Sequence, residues 1–473
     1  MIKKTKIIAT IGPSSNHQSI IAQLIRKGMN IARINMAHQF DEDSLNKLIE
    51  DIRAQSVKVN KYVGILMDIA GPKIRVDLSN IGNEEIEIIK NHVYQMGYSK
   101  INDIPLNLNV KFNDKKNEKA LVKIDDGKIS FKIISIRNNV LKIKALNSGL
   151  ITSNKGVNFP NVNLDIPSIT NKDKKDIKLG IKLGIDWFAL SFVRNSNDIK
   201  PFLNIFKNQK KFIPVIAKIE KPEAITNLND IIEKFNGLLI ARGDLGVEMS
   251  LAKLPVLQKK IIHECKKSKK PVIVATQILE SMIQNSIPTR AEVNDVASSV
   301  YEEVDAVMLS GETAIGEYPV ESVSIMSEII KDVEYEMSSS KINEISIVSD
   351  SDNRSAIGDA VNTISKHLKV DAIVVMTESG ATARVVSHYR PSVNIYGLSP
   401  FKYICNRMSL LWGVTPIKTD NFLTTDDMLK NIENILVKSG YLKNGQTFIF
   451  TAGIPLGVSG STNMLKIHKV HTK

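Results

Sequence analysis

The chain of 473 residues is long enough for two or three domains, each with its own buried core. Its composition, 43% apolar and 24% charged, is that of ordinary globular proteins and excludes the disordered and fibrous classes. The formal charge of +13 comes from lysines scattered among Ile and Asn along the whole chain. With no basic arm and no recognition module, nucleic acid is not an expected partner, whereas anionic metabolites are.

The N-terminus opens Met1-Ile2-Lys3-Lys4, and the short apolar run behind it meets Gly12-Pro13, the pattern of a strand entering a turn rather than of a signal peptide. The longest apolar runs, such as Val272-Ile273-Val274-Ala275, are strand-sized and fall far short of the roughly 20 residues that cross a bilayer. A cytoplasmic protein without a membrane partner is therefore expected. Cys265 and Cys405 lie far apart without metal-ligand spacing, so idle buried thiols are expected rather than a disulfide or a zinc site.

Short β-branched runs predict strands at 6–11, 30–34, 63–69, 187–192, 214–219, 237–241, 271–275 and 305–309. Between most of them lie segments of helical periodicity, such as Leu257, Ile261, Ile262 and Cys265. Eight strands alternating with helices is the count of a (β/α)8 TIM barrel, with a doubly wound open sheet as the competing arrangement. The rhythm breaks between 71 and 166, where alternating strands at 85–90, 121–124, 129–134 and 140–145 are separated by turn signals at Asp125-Asp126-Gly127 and Asn138-Asn139. This predicts a small β-barrel domain inserted after strand three, at the mouth where active-site loops sit, and reads as a lid. A linker-like Ser338-Ser339-Ser340 precedes a C-terminal α/β unit with strands at 371–376, 393–397 and 447–450. The expected division is 1–70 and 167–338 for the barrel, 71–166 for the lid and 345–473 for the C-terminal domain.

The predicted strand ends are rich in polar residues: Arg33 and Asn35 followed by His38, Asp68 followed by Lys73 and Arg75, Lys218 and Glu220, Arg242-Gly243-Asp244, Thr276, and Ser310. Glu220 and Asp244 are hard oxygen ligands on adjacent strands, suited to magnesium or manganese. A plain salt-bridged pair with Lys218 or Arg242 is the alternative. Lys218 and Glu220 are two apart on a strand and share a face, so a cation beside a metal calls for an anion between them, which favours a phosphate or enolate ligand. Arg33 and Arg75 suit phosphate and carboxylate, and Gly243 and Gly246 let backbone N–H groups approach an anion.

In this order and register, these residues resemble the pyruvate kinase family. The similarity runs over essentially the whole chain, through 4–13, 32–35, 71–75, 217–220, 241–248, 275–282, 288–292 and 308–314. The resemblance implies transfer of the phosphoryl group of phosphoenolpyruvate to ADP, giving ATP and pyruvate. It also implies that Glu220 and Asp244 hold the divalent metal, that Lys218 stabilises the transferring phosphoryl group and the enolate, and that Arg33 grips the phosphate. Gly243, Asp244 and Thr276 would hold the substrate carboxylate, and water near Thr276 and Ser310 would protonate the enolate. His38, Arg75, Asn35 and Lys155 would lie on the nucleotide side. Many members hold a monovalent cation near Asn35 and Asp68 through a serine and a threonine; here those positions are Ala37 and Ile69, and Lys73 replaces a glutamate linked to potassium dependence. Activity without potassium is therefore expected, with Lys73 as the substitute cation. Thr377, Ser379, Gly380 and Thr382 would bind a sugar-phosphate or nucleotide effector, with an ordinary N-cap at Ser379 or Thr382 as the alternative. The segment 457–462 resembles the loop that closes over that effector, and a homotetramer is the family's assembly.

Overall fold

The computed structural model describes residues 2–38, 40–79, 84–99, 101–112, 120–160, 162, 164–207, 209, 211–339, 353–422, 424–454 and 462–471. Eight parallel strands close into a barrel: β1 (Lys6–Thr10), β2 (Met29–Asn35), β3 (Gly64–Ile69), β4 (Trp187–Leu190), β5 (Val215–Ile219), β6 (Gly237–Ala241), β7 (Val272–Ala275) and β8 (Ala306–Leu309). Each neighbours the next in sequence, and β8 returns to pair with β1, which settles the fold against the open sheet.

Strand alternation explains what the barrel points at its mouth. The interior is filled by Ile8, Ile31, Leu66, Trp187, Ala189, Ile216, Leu239, Ile273 and Met308, while the other face of each strand packs on the surrounding helices. Counting by two from those interior residues leads to Thr10, Arg33 and Asn35, Asp68, Ser191, Lys218 and Glu220, and Ser310. The inward face changes from apolar to polar where the strands reach the C-terminal rim, the rim that carries active sites in such barrels.

Between β3 and β4 the chain builds an all-β insert. A six-stranded sheet runs in the order Val157–Asn158, Leu121–Ile124, Ile129–Arg137, Val140–Ala145, Val93–Gly97, Ile104–Pro105, and Gly149–Thr152 pairs with Glu85–Ile88. Phe131, Ile143, Met96 and Phe159 are buried in its separate core. Asn138 and Asn139 both adopt positive φ, 49° and 59°, as a tight hairpin turn requires.

The serine run does not open a linker at 338. The helix Pro319–Ser339 takes in its first two residues, and the Ser338 hydroxyl donates to the Tyr335 carbonyl (2.7 Å), satisfying itself within the last turn. The C-terminal unit is a five-stranded sheet in the order Val414–Lys418, Asn394–Ser399, Ala372–Met376, Thr447–Gly453, Thr462–Lys469, the last strand antiparallel. It docks beneath the barrel, where Lys4 Nζ reaches the carbonyls of Pro391 (2.9 Å) and Ser392 (2.5 Å) and Arg390 pairs with Asp305 (3.1 Å). Among the described residues no helix is long and apolar enough to cross a membrane.

Candidate active site

A cleft of about 1010 Å³ opens at the polar rim of the barrel. Arg33, Asn35, His38, Lys73, Arg75, Lys218, Glu220, Asp244, Thr276 and Ser310 all line it, so residues spread over nearly 280 positions of sequence meet at one surface.

Its floor is a buried charge network. Asp68, 2% exposed, accepts from Arg33 Nε (2.8 Å) and Nη2 (2.7 Å), while Arg33 Nη1 donates to Thr10 Oγ1 (2.9 Å). Lys218 Nζ lies 3.2 Å from Asp68 Oδ1 and 2.9 Å from Glu220 Oε1, and it donates to Ser191 Oγ (2.8 Å). Burial alone would push the Lys218 pKa down, but Asp68 and then Glu220 outweigh it and hold the ammonium above its usual value. Burial likewise works to raise Asp68, but Lys218 and Arg33 keep it below the usual carboxylate range. Asp68 is thus the fixed anion that orients two cations, and the Lys218 ammonium cannot lose its proton cheaply.

Glu220 is placed differently. Its carboxyl is pushed up, first by burial and further by the charge of Asp244, despite Lys218. Oε2 accepts the Phe192 N–H (2.6 Å), while the buried Oε1 takes no well-directed hydrogen bond and has only the Lys218 ammonium beside it. Asp244 stands on the helix Arg242–Glu248 that follows β6 and pairs with Lys73 Nζ (3.1 Å). Two carboxylates that line one cleft and feel each other's charge, one of them under-neutralised, fit a divalent cation. Among the described residues no cluster of three or more His, Cys, Asp or Glu could enclose a metal alone. The pair therefore suits an open site completed by water and substrate oxygens.

The helix carrying Asp244 is fastened to the turn after β7. Arg242 makes a two-pronged contact with Asp295 (2.6 Å each) and donates to the carbonyls of Thr276 (3.0 Å) and Gln277 (3.0 Å). Those two residues sit at φ 69° and 53°, a region costly for a β-branched side chain. The twist turns the Thr276 hydroxyl so that it accepts the Gly243 N–H (2.7 Å).

Several expectations need revision. Lys218, expected on the same face as Glu220, pairs with it directly, as the salt-bridged alternative has it. Arg242 belongs to Asp295 and not to either carboxylate of the candidate metal pair. Lys73 reaches Asp244 and lies 5.9 Å from the Phe192 ring centre, whereas the cations that neutralise Asp68 are Arg33 and Lys218. Ile69 packs outward in the core behind the strands. Lys155 is not among the residues lining the cleft; it pairs with Asp125 inside the insert (2.9 Å). Ser191 escaped the sequence reading although it continues the inward face of β4, two residues beyond Ala189.

In the C-terminal unit, Gly380 at φ 81° is the N-cap of the helix Ala381–His388, and neither Ser379 nor Thr382 caps it. Thr377 Oγ1 accepts the Gly380 N–H (3.0 Å), and the hydroxyls of Thr382 and Thr462 lie 2.6 Å apart. Residues 457–461 of the expected closing loop lie outside the described residues.

A barrel with paired carboxylates, fixed cations and a β-lid at its mouth is the setting of a phosphoryl-transfer enzyme. Comparison with known proteins names the kind. The profile of the pyruvate kinase barrel domain matches residues 2–323, and that of the pyruvate kinase alpha/beta domain matches residues 355–468. Pyruvate kinases of Staphylococcus aureus strains MRSA252 and USA300 are 40% identical over 481 aligned residues, covering 99% of this chain and 81% of theirs. The crystal structure of a pyruvate kinase from Cryptosporidium parvum superposes with a TM-score of 0.87 at 30% identity, over 99% of this chain and 96% of that one. The chain belongs to the pyruvate kinase family and is a phosphotransferase, acting in glycolysis on phosphoenolpyruvate and ADP with a divalent metal.

Proposed function

We propose that Glu220 and Asp244 hold Mg2+ or Mn2+, with Lys218, Arg33, Thr276 and the Gly243–Asp244 backbone arranged around phosphoenolpyruvate. The observation that carries the reading is the shared position of Lys218, 2.9 Å from Glu220 and bound through Asp68 to Arg33. A phosphate seated between these cations finds its charge met before it arrives, so little reorganisation is needed in the transition state. The bound metal supplies further neutralisation of phosphate and carboxylate oxygens. Lys218 keeps its proton because Asp68 and Glu220 hold it there, which suits it to stabilise the enolate and not to protonate its carbon. That proton comes from water near Thr276 and Ser310. His38, Arg75 and Asn35 face the nucleotide, and Lys155 joins them by leaving Asp125.

Potassium is not required on this reading, because Lys73 brings a cation to the site and Ala37 offers no side-chain oxygen to bind one. The test is pyruvate formation from phosphoenolpyruvate and ADP with Mg2+, with and without K+ in a tetramethylammonium buffer. Equal rates are expected. Strong stimulation by K+ would overturn the potassium reading alone, and no pyruvate under either condition would overturn the assignment of the site. An effector, sugar phosphate or nucleotide, binds the turn of Thr377, Ser379, Gly380 and Thr382, and the protein works as a homotetramer; the likeness to the family is what supports both readings. The domain division is 1–70 and 167–338, 71–166, and 345–473.

A further inference from the structure

The insert lands on the helix that carries Asp244. Lys123 and Asn158 are register partners on adjacent strands of the insert, so their side chains leave the sheet on one face. Both reach the C-terminal end of the helix Arg242–Glu248: Lys123 Nζ donates to the Val247 carbonyl (2.6 Å), and Asn158 Nδ2 donates to Glu248 Oε1 (2.7 Å). Glu248, with its side chain 1% exposed, also pairs through that oxygen with Lys221 Nζ (2.5 Å), the residue next to Glu220. Glu248 lies one helical turn beyond Asp244, so it joins three things at one oxygen: the lid, the helix of one candidate metal ligand and the neighbour of the other. No other residue in the described part of the chain makes these three connections.

We propose that Glu248 is a positioning residue that couples closure of the lid to binding of the divalent cation at Glu220 and Asp244. This rests on the metal assignment above. With Asn158 in place the two carboxylates are held at the separation the cation needs. With the lid detached, Glu248 and Lys221 are free to shift and carry Asp244 and Glu220 with them. Coupling of this kind is reciprocal, so the cation draws the lid down as much as the lid prepares the cation site.

The test uses Asn158→Ala, which removes the lid's contact with Glu248 while keeping Lys123 on the Val247 carbonyl and the Glu248–Lys221 pair in the barrel, with Glu248→Gln as the second variant. Mn2+ binding is read from the electron spin resonance of the free ion. Lid position is read by double electron–electron resonance between spin labels at Lys132→Cys in the insert and Lys259→Cys on the barrel, both exposed sites. Cys265 and Cys405 are buried with thiols pushed up by burial and stay unlabelled. In Asn158→Ala the Mn2+ dissociation constant is expected to rise about fivefold or more, and Mn2+ no longer narrows the lid distance distribution as it does in the unaltered protein. A Mn2+ affinity within twofold of the unaltered protein overturns the coupling, whether or not the lid has moved or the melting temperature has dropped. Loss of Mn2+ binding from Glu220→Gln and Asp244→Asn, measured alongside, checks the metal assignment separately; if both still bind Mn2+ normally, that reading fails and not the latch alone.

Discussion

Replacing Arg242 by lysine tests whether a strained turn is held in place by one side chain. The lysine ammonium can keep one contact with Asp295, 33% exposed, but it loses the second prong and the three N–H contacts to the carbonyls of Thr276 and Gln277. Four contacts at about 1 kcal/mol net each, reduced because the pair is partly exposed, amount to about 2–3 kcal/mol. Holding two non-glycine residues in the left-handed region costs about 1–2 kcal/mol each, so clamp and strain are of the same size. Without the clamp the turn relaxes and the Thr276 hydroxyl leaves the Gly243 N–H. The specificity constant kcat/KM for phosphoenolpyruvate, followed by coupling pyruvate to lactate dehydrogenase, is expected to fall roughly 30- to 150-fold. Gln277 is exposed, so adding Gln277→Gly relieves strain without removing packing and should restore roughly five- to tenfold of that loss. An Arg242→Lys enzyme within threefold of the original refutes the clamp. A double variant no better than the single one refutes the strain.

Glu220→Gln should weaken Mn2+ binding at least about a hundredfold, seen by titration against the free-ion resonance, because one of the two carboxylates then carries no charge. His388 is held down to about pKa 3 by burial and by Arg390, Lys266 and Lys269. The unfolded chain, titrating near 6.5, binds one proton more than the folded protein between those values, so stability falls as pH drops below about 6.5. In urea unfolding at pH 7, 6 and 5, His388→Gln should lose up to one proton of that slope, and an identical slope speaks against the buried neutral ring. Gly180→Ala should lower stability by about 1–2 kcal/mol despite its helical site. The new Cβ meets Met67 Sδ at 2.8 Å and Phe188 Cζ at 2.9 Å, and overpacking exceeds the gain in helix propensity; an unchanged or raised urea midpoint contradicts this.

The barrel was legible because each strand is a short, mostly apolar run and most lead into polar residues that continue the inward face. Thus Ile216, Lys218 and Glu220 announce the mouth from sequence alone, and the same count from Ala189 reaches Ser191. What could not be read is what distant charges do with one another. Arg242 and Asp295 are 53 positions apart, and Lys73 and Asp244 are 171 apart. Nothing in local pattern states that one arginine secures a turn while a lysine from the base of the insert settles on Asp244. The same holds for Lys155, whose partner Asp125 inside the insert no local pattern announces. The strands Val93–Gly97 and Gly149–Thr152 were missed because they bury so few large apolar side chains, Tyr94 and Met96 in one and Ile151 in the other.

Within the insert, the segments 74–76 and 154–157 are zipped into a ribbon. Val157 N–H bonds to the Ile74 carbonyl (2.9 Å), Val76 N–H to that of Lys155 (2.9 Å), and Asn154 N–H to that of Val76 (2.8 Å). Ile74, Val76 and Val157 are buried in the insert's own core, so this ribbon belongs to the insert. Lys73 sits just before the zipped stretch, its carbonyl accepting from Asn107 Nδ2 of the insert (3.3 Å), and Arg75 lies within it, bridged to Gly156. Two cations of the cleft are thus built into one folded unit, and any displacement of the insert carries both of them together.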